Sequence, residues 1–305
     1  MSLLIEQLLN GVQLGLTLFL LAAGLTLIFG IMGVINLAHG SFYMIGAFVG
    51  ATAAVYTGSF WLALPAGILG AALAGLLVEF TIIRQLYARD HLDQVLATFG
   101  LILLINELVA MTWGRSPLLM NGPPILDGFV PLIAGISYPT YRLAMMATGI
   151  AVAVGLYFLI GYTRVGMLIR AGASNRDMVA VLGVDIGKLF ALVFALGAML
   201  AGFAGVMVAP ILSVQIGMGE QILILTFVVI VVGGVGSVRG AFVGALLIGM
   251  VDTLGRAFLP MIFKSFLSGP IADGLGAAMA SVAIYLVMAL VLVFRPRGMF
   301  PVQGS

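Results

Sequence analysis

The sequence predicts an all-α polytopic membrane protein with about eight or nine transmembrane helices, some of them broken or re-entrant. Hydrophobic residues make up 63% of the 305 residues and charged residues only 8%, whereas a soluble domain is about 25% charged. A helix that crosses a bilayer needs ~20 consecutive apolar residues, and short polar breaks separate several apolar runs of about that length. We therefore expect residues 1–305 to form a single transmembrane domain.

The predicted spans follow one another along the whole chain. They are 8–29, 42–55, 61–83, 95–113, 143–162, 189–208, 222–232, a run ending near 259, and 275–294. Five prolines and four glycines between Gly114 and Arg142 exclude a continuous helix there. The number of crossings depends on the break from Gly30 to Ser41. If both flanking runs cross, there are nine spans and an external N-terminus. If one is re-entrant, there are eight spans and an internal N-terminus.

Composition and motifs argue against an enzyme. The chain has no cysteine, no HExxH motif and no phosphate-binding glycine loop, and its two histidines stand far apart. We expect no catalytic residue, metal site or cofactor on this chain. A net charge of +2 without a basic patch also argues against a nucleic-acid partner. The N-terminus carries no Lys or Arg before its first apolar run, so we interpret that run as a retained span rather than a signal peptide.

The distribution of basic residues predicts the orientation in the membrane. Cytoplasmic loops of membrane proteins keep an excess of Lys and Arg. One alternation of spans places nine of the 13 basic residues on one side, together with segment 163–188 and the C-terminus. These nine are Arg84, Arg89, Arg164, Arg170, Arg176, Lys188, Arg239, Arg295 and Arg297. We predict that this side is cytoplasmic.

Three polar residues are candidates for a path through the membrane. Asn36 and His39 lie in a glycine-rich break at apparent membrane depth, where a polar side chain needs a partner or a water-filled cavity. For His39, a structural role, such as capping the helix that begins near Ser41, is an equal alternative. Glu107, beside Asn106, lies inside a predicted span without an obvious partner. An ion-coupled carrier would make most use of such a carboxylate.

The other intramembrane acids have simpler explanations. Glu79 lies near a predicted cytoplasmic end, and Glu220 lies at a helix start, where negative charge is favoured. Asp252 and Arg256 are four residues apart and can pair on one helix face.

Two parts of the chain show a weak internal sequence similarity. Segments 29–50 and 231–249 both contain an apolar helix, a glycine-rich break and a second glycine-spaced helix. Paired interruptions of this kind are typical of discontinuous helices that line a transport path.

Segment 163–188 is polar, basic and long enough to contact a partner in water. Ser174 and Asp177 fit the helix start [ST]-x-x-[DE], and Gly183 can end the short helix that follows. Met178, Val181 and Leu182 would share one face of it. Asp185 is expected to cap the next helix. Such a helix can lie on the lipid surface or dock into the groove of a cytoplasmic partner. The spacing of its apolar residues does not distinguish these two alternatives.

Four stretches of the sequence resemble one transporter family. GLTLIFGIMGVINLAHGSFYMIGA, RAGASNRDMVAVLGVDIGKLFALVFALGAMLAGFAG, VVGGVGSVRGAFVGALLIG and the tail FRPRGMF occur in order along the chain. Together they are similar to the LivH-type permease subunit of branched-chain amino acid ABC importers. The resemblance covers essentially the whole chain.

The resemblance implies a multi-subunit importer in a bacterial inner membrane. Its expected partners are a second, LivM-like permease subunit, two cytoplasmic ATPase subunits that hold ATP and Mg²⁺, and a periplasmic substrate-binding protein, all within membrane lipid. Residues that match the family's coupling helix are Ser174, Asn175, Arg176, Asp177 and Gly183. Met178, Val179 and Ala180 stand where other ABC permeases carry an acidic-Ala-Ala run. Asn36 and His39 match the family's NLAHG motif.

Two other functions remain alternatives at this point. An ion-coupled secondary transporter would use the broken helices and Glu107. An ABC permease for urea or short amides would share the same architecture. A membrane enzyme or channel has no catalytic cluster or filter motif to support it.

Overall fold

A computed structural model describes residues 2–132 and 135–301, without the side chain of Asp177. The described helices are α1 Ser2–Met32, α2 His39–Thr57, α3 Phe60–Val78, α4 Arg84–Leu86, α5 His91–Trp113, α6 Thr140–Tyr162, α7 Arg164–Ser174, α8 Arg176–Val181, α9 Ile186–Val208, α10 Met218–Gly233, α11 Val238–Phe263 and α12 Gly269–Phe294. A π-helical turn, Glu79–Ile83, joins α3 to α4. The all-α membrane fold is therefore confirmed.

Among the described residues, eight apolar segments are long enough to cross a membrane. The ninth apolar helix, α10, has 16 residues and a length of about 24 Å, which is short for a complete crossing. The proline- and glycine-rich loop after α5 forms a 3₁₀ turn, Pro124–Leu126, and a small antiparallel hairpin of β1 Phe129–Pro131 and β2 Ser137–Pro139. This loop is non-helical, as its composition predicts.

Helix α1 lies at the centre of the bundle. In the most apolar 18-residue stretch of α1, 83% of the residues are buried. In the corresponding stretch of α12, only 11% are buried within the chain. Lipid offers no hydrophobic force to bring helices together, so close packing at small residues must do so. Gly15 lies against the backbone of Leu246 in α11, and Gly24 against that of Gly197 in α9. Apolar α12 thus has a large surface left for lipid or another subunit.

The helix ends define two ends of the bundle. The basic end, as we call it, carries Arg84, the α6–α7 junction, the start of α11 and Arg295. Gly30 near the end of α1 packs on Gly236 there. At the opposite end, Arg142 donates a hydrogen bond to Asn10 in α1 (2.6 Å). The described chain starts at the opposite end, with α1, and finishes at the basic end.

Two helices begin inside the bundle rather than at its ends. After α1 reaches the basic end, the non-helical residues 33–38 run back along α5, where Ile35 N–H donates to Gln94 and Leu37 N–H to Thr98. Helix α2 starts from this level and continues to the opposite end, where Trp113 donates to Thr52. Helix α10 likewise starts after residues 209–217 and ends at the basic end, where Gly233 packs on Gly240.

The two broken units have opposite directions. Helix α1, a break and α2 form one unit, and α9, a break and α10 form the other, with α3 and α5 following the first and α11 and α12 the second. Opposed repeats of this kind are typical of transporters. The similarity predicted from the sequence between segments 29–50 and 231–249 does not correspond to these two units. The counterpart of the break before α2 is 209–217, whereas the glycines of 231–249 serve the tight contact of α10 with α11.

Candidate functional site

A short exposed helix at the basic end is the first candidate site. The hydroxyl of Thr163 accepts the Gly166 N–H (3.0 Å) and caps α7. Helix α7 then includes Ser174, and Asn175 Oδ1 accepts the Met178 N–H (2.9 Å) at the start of α8. The cap predicted at Ser174 is therefore wrong by one residue. Ser174 has helical backbone geometry because α7 continues through it. The reciprocal contact expected from the Asp177 side chain lies outside the described residues.

The predicted end of this helix is confirmed. Gly183 has φ +86°, a conformation that costs glycine nothing and strains other residues. Its N–H donates to the Ala180 carbonyl (3.0 Å), and the Val184 N–H donates to the Val179 carbonyl (3.3 Å). Asp185 then caps α9 through the Lys188 N–H (3.1 Å). This hydrogen bond and the Lys188 side chain lower the pKa of Asp185.

Helix α8 presents an apolar surface outward. Met178, Val181 and Leu182 are 57%, 83% and 75% exposed, whereas Val179 is 5% exposed and faces the protein. We call these three exposed residues the α8 face. Exposed apolar side chains in a capped, polar segment are typical of a surface that another molecule covers. Only Gly183, Val184 and Asp185 separate Leu182 from the start of α9.

Removing the cap of α8 should loosen this helix. Replacing Asn175 with alanine removes the oxygen that accepts the Met178 N–H, and the loss of an N-cap costs about 1 kcal/mol. We expect amide hydrogens of 176–181 to exchange about fivefold faster, measured by hydrogen–deuterium exchange mass spectrometry. The matched Ser174→Ala variant should leave exchange unchanged. Equal acceleration in both variants would contradict the assignment of the cap to Asn175.

A helix junction in the bundle interior is the second candidate site. Gly40 in the first turn of α2 lies directly against Gly219 in the first turn of α10. His39 and Asn36 beside it are fully buried. Asn36 Oδ1 accepts the Ala38 N–H (3.0 Å). The cap considered for His39 is not formed, because α2 already includes His39 and no side chain caps its start. The amide nitrogen of Asn36 and both ring nitrogens of His39 have no hydrogen-bond partner of good geometry.

The buried nitrogens beside the junction have an energetic consequence. A buried polar group without a partner costs ~1–3 kcal/mol, so these nitrogens need a bound water or a partner in another conformation. Asn36 and His39 therefore stay candidates for the path. Neither lines an open cavity in this conformation, because both are fully buried.

A cavity of about 560 Å³ opens beside the junction. Tyr43 from α2 and Met218 from α10 line it, so it adjoins the first turns of both broken helices. Its polar lining consists of Tyr43, Ser213, Gln215, Gln221, Arg256, Ser281 and Tyr285. Leu212, Ile222, Ile224, Leu225 and Ile284 supply its apolar lining. A cavity of this size and mixed polarity is suited to a small amphiphilic molecule.

The intramembrane acids have partners, and only that of Glu220 is distant in sequence. Asp252 accepts from Arg256 Nε (2.7 Å), as the four-residue spacing predicts. Glu220 lies in the first turn of α10 and accepts from Asn106 Nδ2 (2.7 Å). Glu107 pairs with Arg115 (2.9 Å), and the two side chains are 57% and 73% exposed. This pair explains how Glu107 is accommodated, and Glu107 does not line the cavity beside α10.

Glu79 lies in an ion pair that depends on the π-helical turn. A π turn hydrogen-bonds i to i+5 and brings residues five apart onto one face. Arg84 therefore reaches both carboxylate oxygens of Glu79 (3.3 Å each). Tyr87 also donates to this carboxylate. Burial, and secondarily the neighbouring Glu79, raises the pKa of Tyr87. The Glu79 carboxylate is fully buried, whereas the Arg84 side chain is 43% exposed.

Because only one partner is fully buried, the two single substitutions should differ. Replacing Arg84 with methionine leaves a buried carboxylate without its cation, and we expect a loss of about 3 kcal/mol. Glu79→Gln leaves Arg84 able to reach water and should cost less. The double variant should recover part of the stability lost in Arg84→Met. Thermal unfolding of the detergent-solubilised protein measures all three, and a double variant less stable than Arg84→Met would contradict this explanation.

Comparisons with known proteins identify the family. A profile described as "Branched-chain amino acid transport system / permease component" matches residues 7–294. The chain is 31% identical to the permease protein LivH of Salmonella typhimurium over 87% of this chain and 90% of that protein. It is 29% identical to BraD of Pseudomonas aeruginosa over 96% of this chain and 94% of that protein. More distantly, it is 26% identical to LivM of Escherichia coli over 92% of this chain and 67% of that protein.

Both nearer relatives are named high-affinity branched-chain amino acid transport system permease proteins, as is LivM. No solved structure gave a significant match. The profile covers nearly all of the described bundle, including both broken units, the cavity and α8. This multi-pass membrane protein belongs to the family of permease components of branched-chain amino acid transport systems.

Proposed function

We propose that this chain is one of the membrane-spanning permease subunits of an ATP-driven importer for branched-chain or other apolar amino acids. The observation that carries the proposal is the exposed α8 face, held at the basic end between two capped helices. A helix of this kind fits a groove on a soluble partner. In this assignment α8 docks on an ATPase, and Asn175, Arg176, Asp177 and Gly183 shape the contact together with the α8 face and Ser174.

The basic end faces the cytoplasm in this proposal, and the chain lies in the bacterial inner membrane. The excess of Lys and Arg at that end supports the orientation. The C-terminus is then cytoplasmic, because the described chain finishes at the basic end, where Phe300 N–H donates to Gly233 (2.9 Å). Two ATPase subunits would hold ATP and Mg²⁺, so hydrolysis takes place on other polypeptides.

A second membrane subunit and a binding protein complete the proposed importer. The similarity of this chain to LivM as well as to LivH-type proteins supports a pair of related permease subunits. The exposed surface of α12 and the open side of the cavity beside α10 are available to such a subunit. A periplasmic binding protein would deliver the substrate at the opposite end of the bundle and supply most of the selectivity.

The contacts within the bundle provide a route by which ATP-driven closure of the two ATPase subunits would open the path. Movement of α8 passes to α9 through the three-residue link. Within α9, Gly205 packs on the Tyr43 carbonyl of α2, and Tyr43 lines the cavity. Helix α9 is thus connected to one wall of the cavity and to the junction at Gly40. Interfaces with two packing arrangements convert small shifts into alternating access. Asn36 and His39 would find their missing partners in the other arrangement.

Reconstitution tests the function directly. Purified chain is placed in proteoliposomes with radiolabelled leucine, with and without the candidate partner subunits and ATP. We expect uptake only when the partners and ATP are present. Uptake by this chain alone under an ion gradient would instead support the ion-coupled carrier. ATP-dependent uptake of radiolabelled urea or acetamide, without uptake of leucine, would support the alternative permease for short amides.

A further inference from the structure

A second cavity, distinct from the candidate path, lies between α6 and α11 at the basic end. Its volume is about 690 Å³, and its lining is largely apolar. Ala153 and Val154 of α6 and Phe242 and Val243 of α11 form its walls, and Val154 is 49% and Val243 38% exposed. We call this cavity the α6–α11 groove. It shares no lining residue with the cavity beside α10.

The mouth of the α6–α11 groove is basic. Arg170 of α7 and Arg239 in the first turn of α11 line it. Neither arginine has an ion pair or hydrogen bond with another described residue, and none of the lining residues is acidic. The guanidinium of Arg239 instead lies over the ring of Tyr157, 5.8 Å from its centroid. Two unneutralised cations therefore meet at one apolar groove.

The polar and apolar parts of the groove are arranged along the membrane normal. Arg239 is the second residue of α11, and Val243 follows it by one helical turn. Ala153 lies nine residues before the end of α6, or about 13 Å deeper than that end. This depth is about one leaflet of a hydrocarbon core ~30 Å thick. Exposed Tyr157, Phe158 and Tyr162 form an aromatic cluster near the arginines, as is typical of the membrane–water interface.

We propose that the α6–α11 groove binds an anionic phospholipid from the leaflet at the basic end. The phosphate would lie between Arg170 and Arg239, with one acyl chain along Val154, Phe242 and Val243. Charge complementarity selects this occupant, because basic pockets between transmembrane helices bind anionic head groups. The bound lipid would link α7, and thus the segment carrying α8, to α6 and α11.

Native mass spectrometry tests this proposal. The sample is the full chain in mild detergent, together with any subunits that co-purify with it. The probes are phosphatidylglycerol and phosphatidylcholine with identical acyl chains. We expect phosphatidylglycerol to be retained preferentially by the unmodified protein. Each basic side chain near an anionic lipid is worth about a fivefold factor, so Arg170→Gln with Arg239→Gln should reduce retention about 30-fold. Val154→Trp fills the groove without changing charge and should also reduce it.

The matched control is Arg89→Gln with Arg164→Gln, which removes two exposed basic residues that do not line the groove. Retention in this variant should equal that of the unmodified protein. Equal losses in both double variants would overturn the site in favour of general charge attraction. Retention unchanged by Val154→Trp, or displacement of the lipid by glycerol phosphate alone, would overturn the placement of an acyl chain. Unchanged thermal unfolding in lipid-free detergent verifies that each variant is folded.

Discussion

Replacing Gly40 with alanine is expected to destabilise the whole bundle, although it adds only one methyl group. An ideal Cβ at Gly40 would lie 2.2 Å from the Gly219 carbonyl oxygen and 2.8 Å from its carbonyl carbon. Both atoms belong to the backbone of α10, so no side-chain rotation relieves the overlap. The helices must separate where α2 and α10 begin. Overpacking a tight interior costs 1–3 kcal/mol or more, and we expect a value of at least about 3 kcal/mol here.

The control for this prediction is another helical glycine. Gly100 in α5 has no atom within 4 Å of its ideal Cβ, so Gly100→Ala should leave stability unchanged or raise it by up to ~1 kcal/mol. Thermal unfolding and size-exclusion chromatography of the solubilised protein compare the two variants. Unfolding of Gly40→Ala at the same temperature as Gly100→Ala would contradict the close contact between α2 and α10.

Local spacing predicted those features whose causes lie within a few residues of chain. The stop at Gly183, the cap at Asp185 and the ion pair of Asp252 with Arg256 all follow from neighbours in sequence. The N-cap of α8 shows the limit of such reasoning. Ser174 and Asn175 both suit a cap, and only the continuation of α7 through Ser174 decides between them.

Long-range contacts could not be predicted in this way. The hydrogen bond from Asn106 to Glu220 joins residues 114 positions apart, and the Gly40–Gly219 contact joins residues still farther apart. The pair of Glu107 with Arg115 spans only eight residues, but it forms across the end of α5, where helical spacing does not apply. The predicted similarity between segments 29–50 and 231–249 did not identify the two broken units, for a related reason. Glycine serves both breaks and tight helix contacts, and the contact of Gly233 with Gly240 explains the second segment.

Placing charge on the α8 face should uncouple ATP hydrolysis from transport. Val181 and Leu182 are 83% and 75% exposed, so Val181→Asp with Leu182→Asp leaves the folded chain intact. In a docked complex the same carboxylates are buried without partners, which is costly. Loss of central apolar anchors in an interface costs about 2 kcal/mol or more. We therefore expect ATP-dependent leucine uptake to fall by at least about 30-fold.

Leu119 provides the control at the opposite end of the bundle. It is 82% exposed and lies in the loop between α5 and α6, so Leu119→Asp adds charge to an equally exposed apolar position that no ATPase reaches. Both variants should unfold at the temperature of the unmodified protein. Co-purification of the ATPase should fail only for the α8 variant. Normal uptake by that variant would exclude α8 as the docking helix, because two buried carboxylates cannot be accommodated in a tight apolar contact without loss.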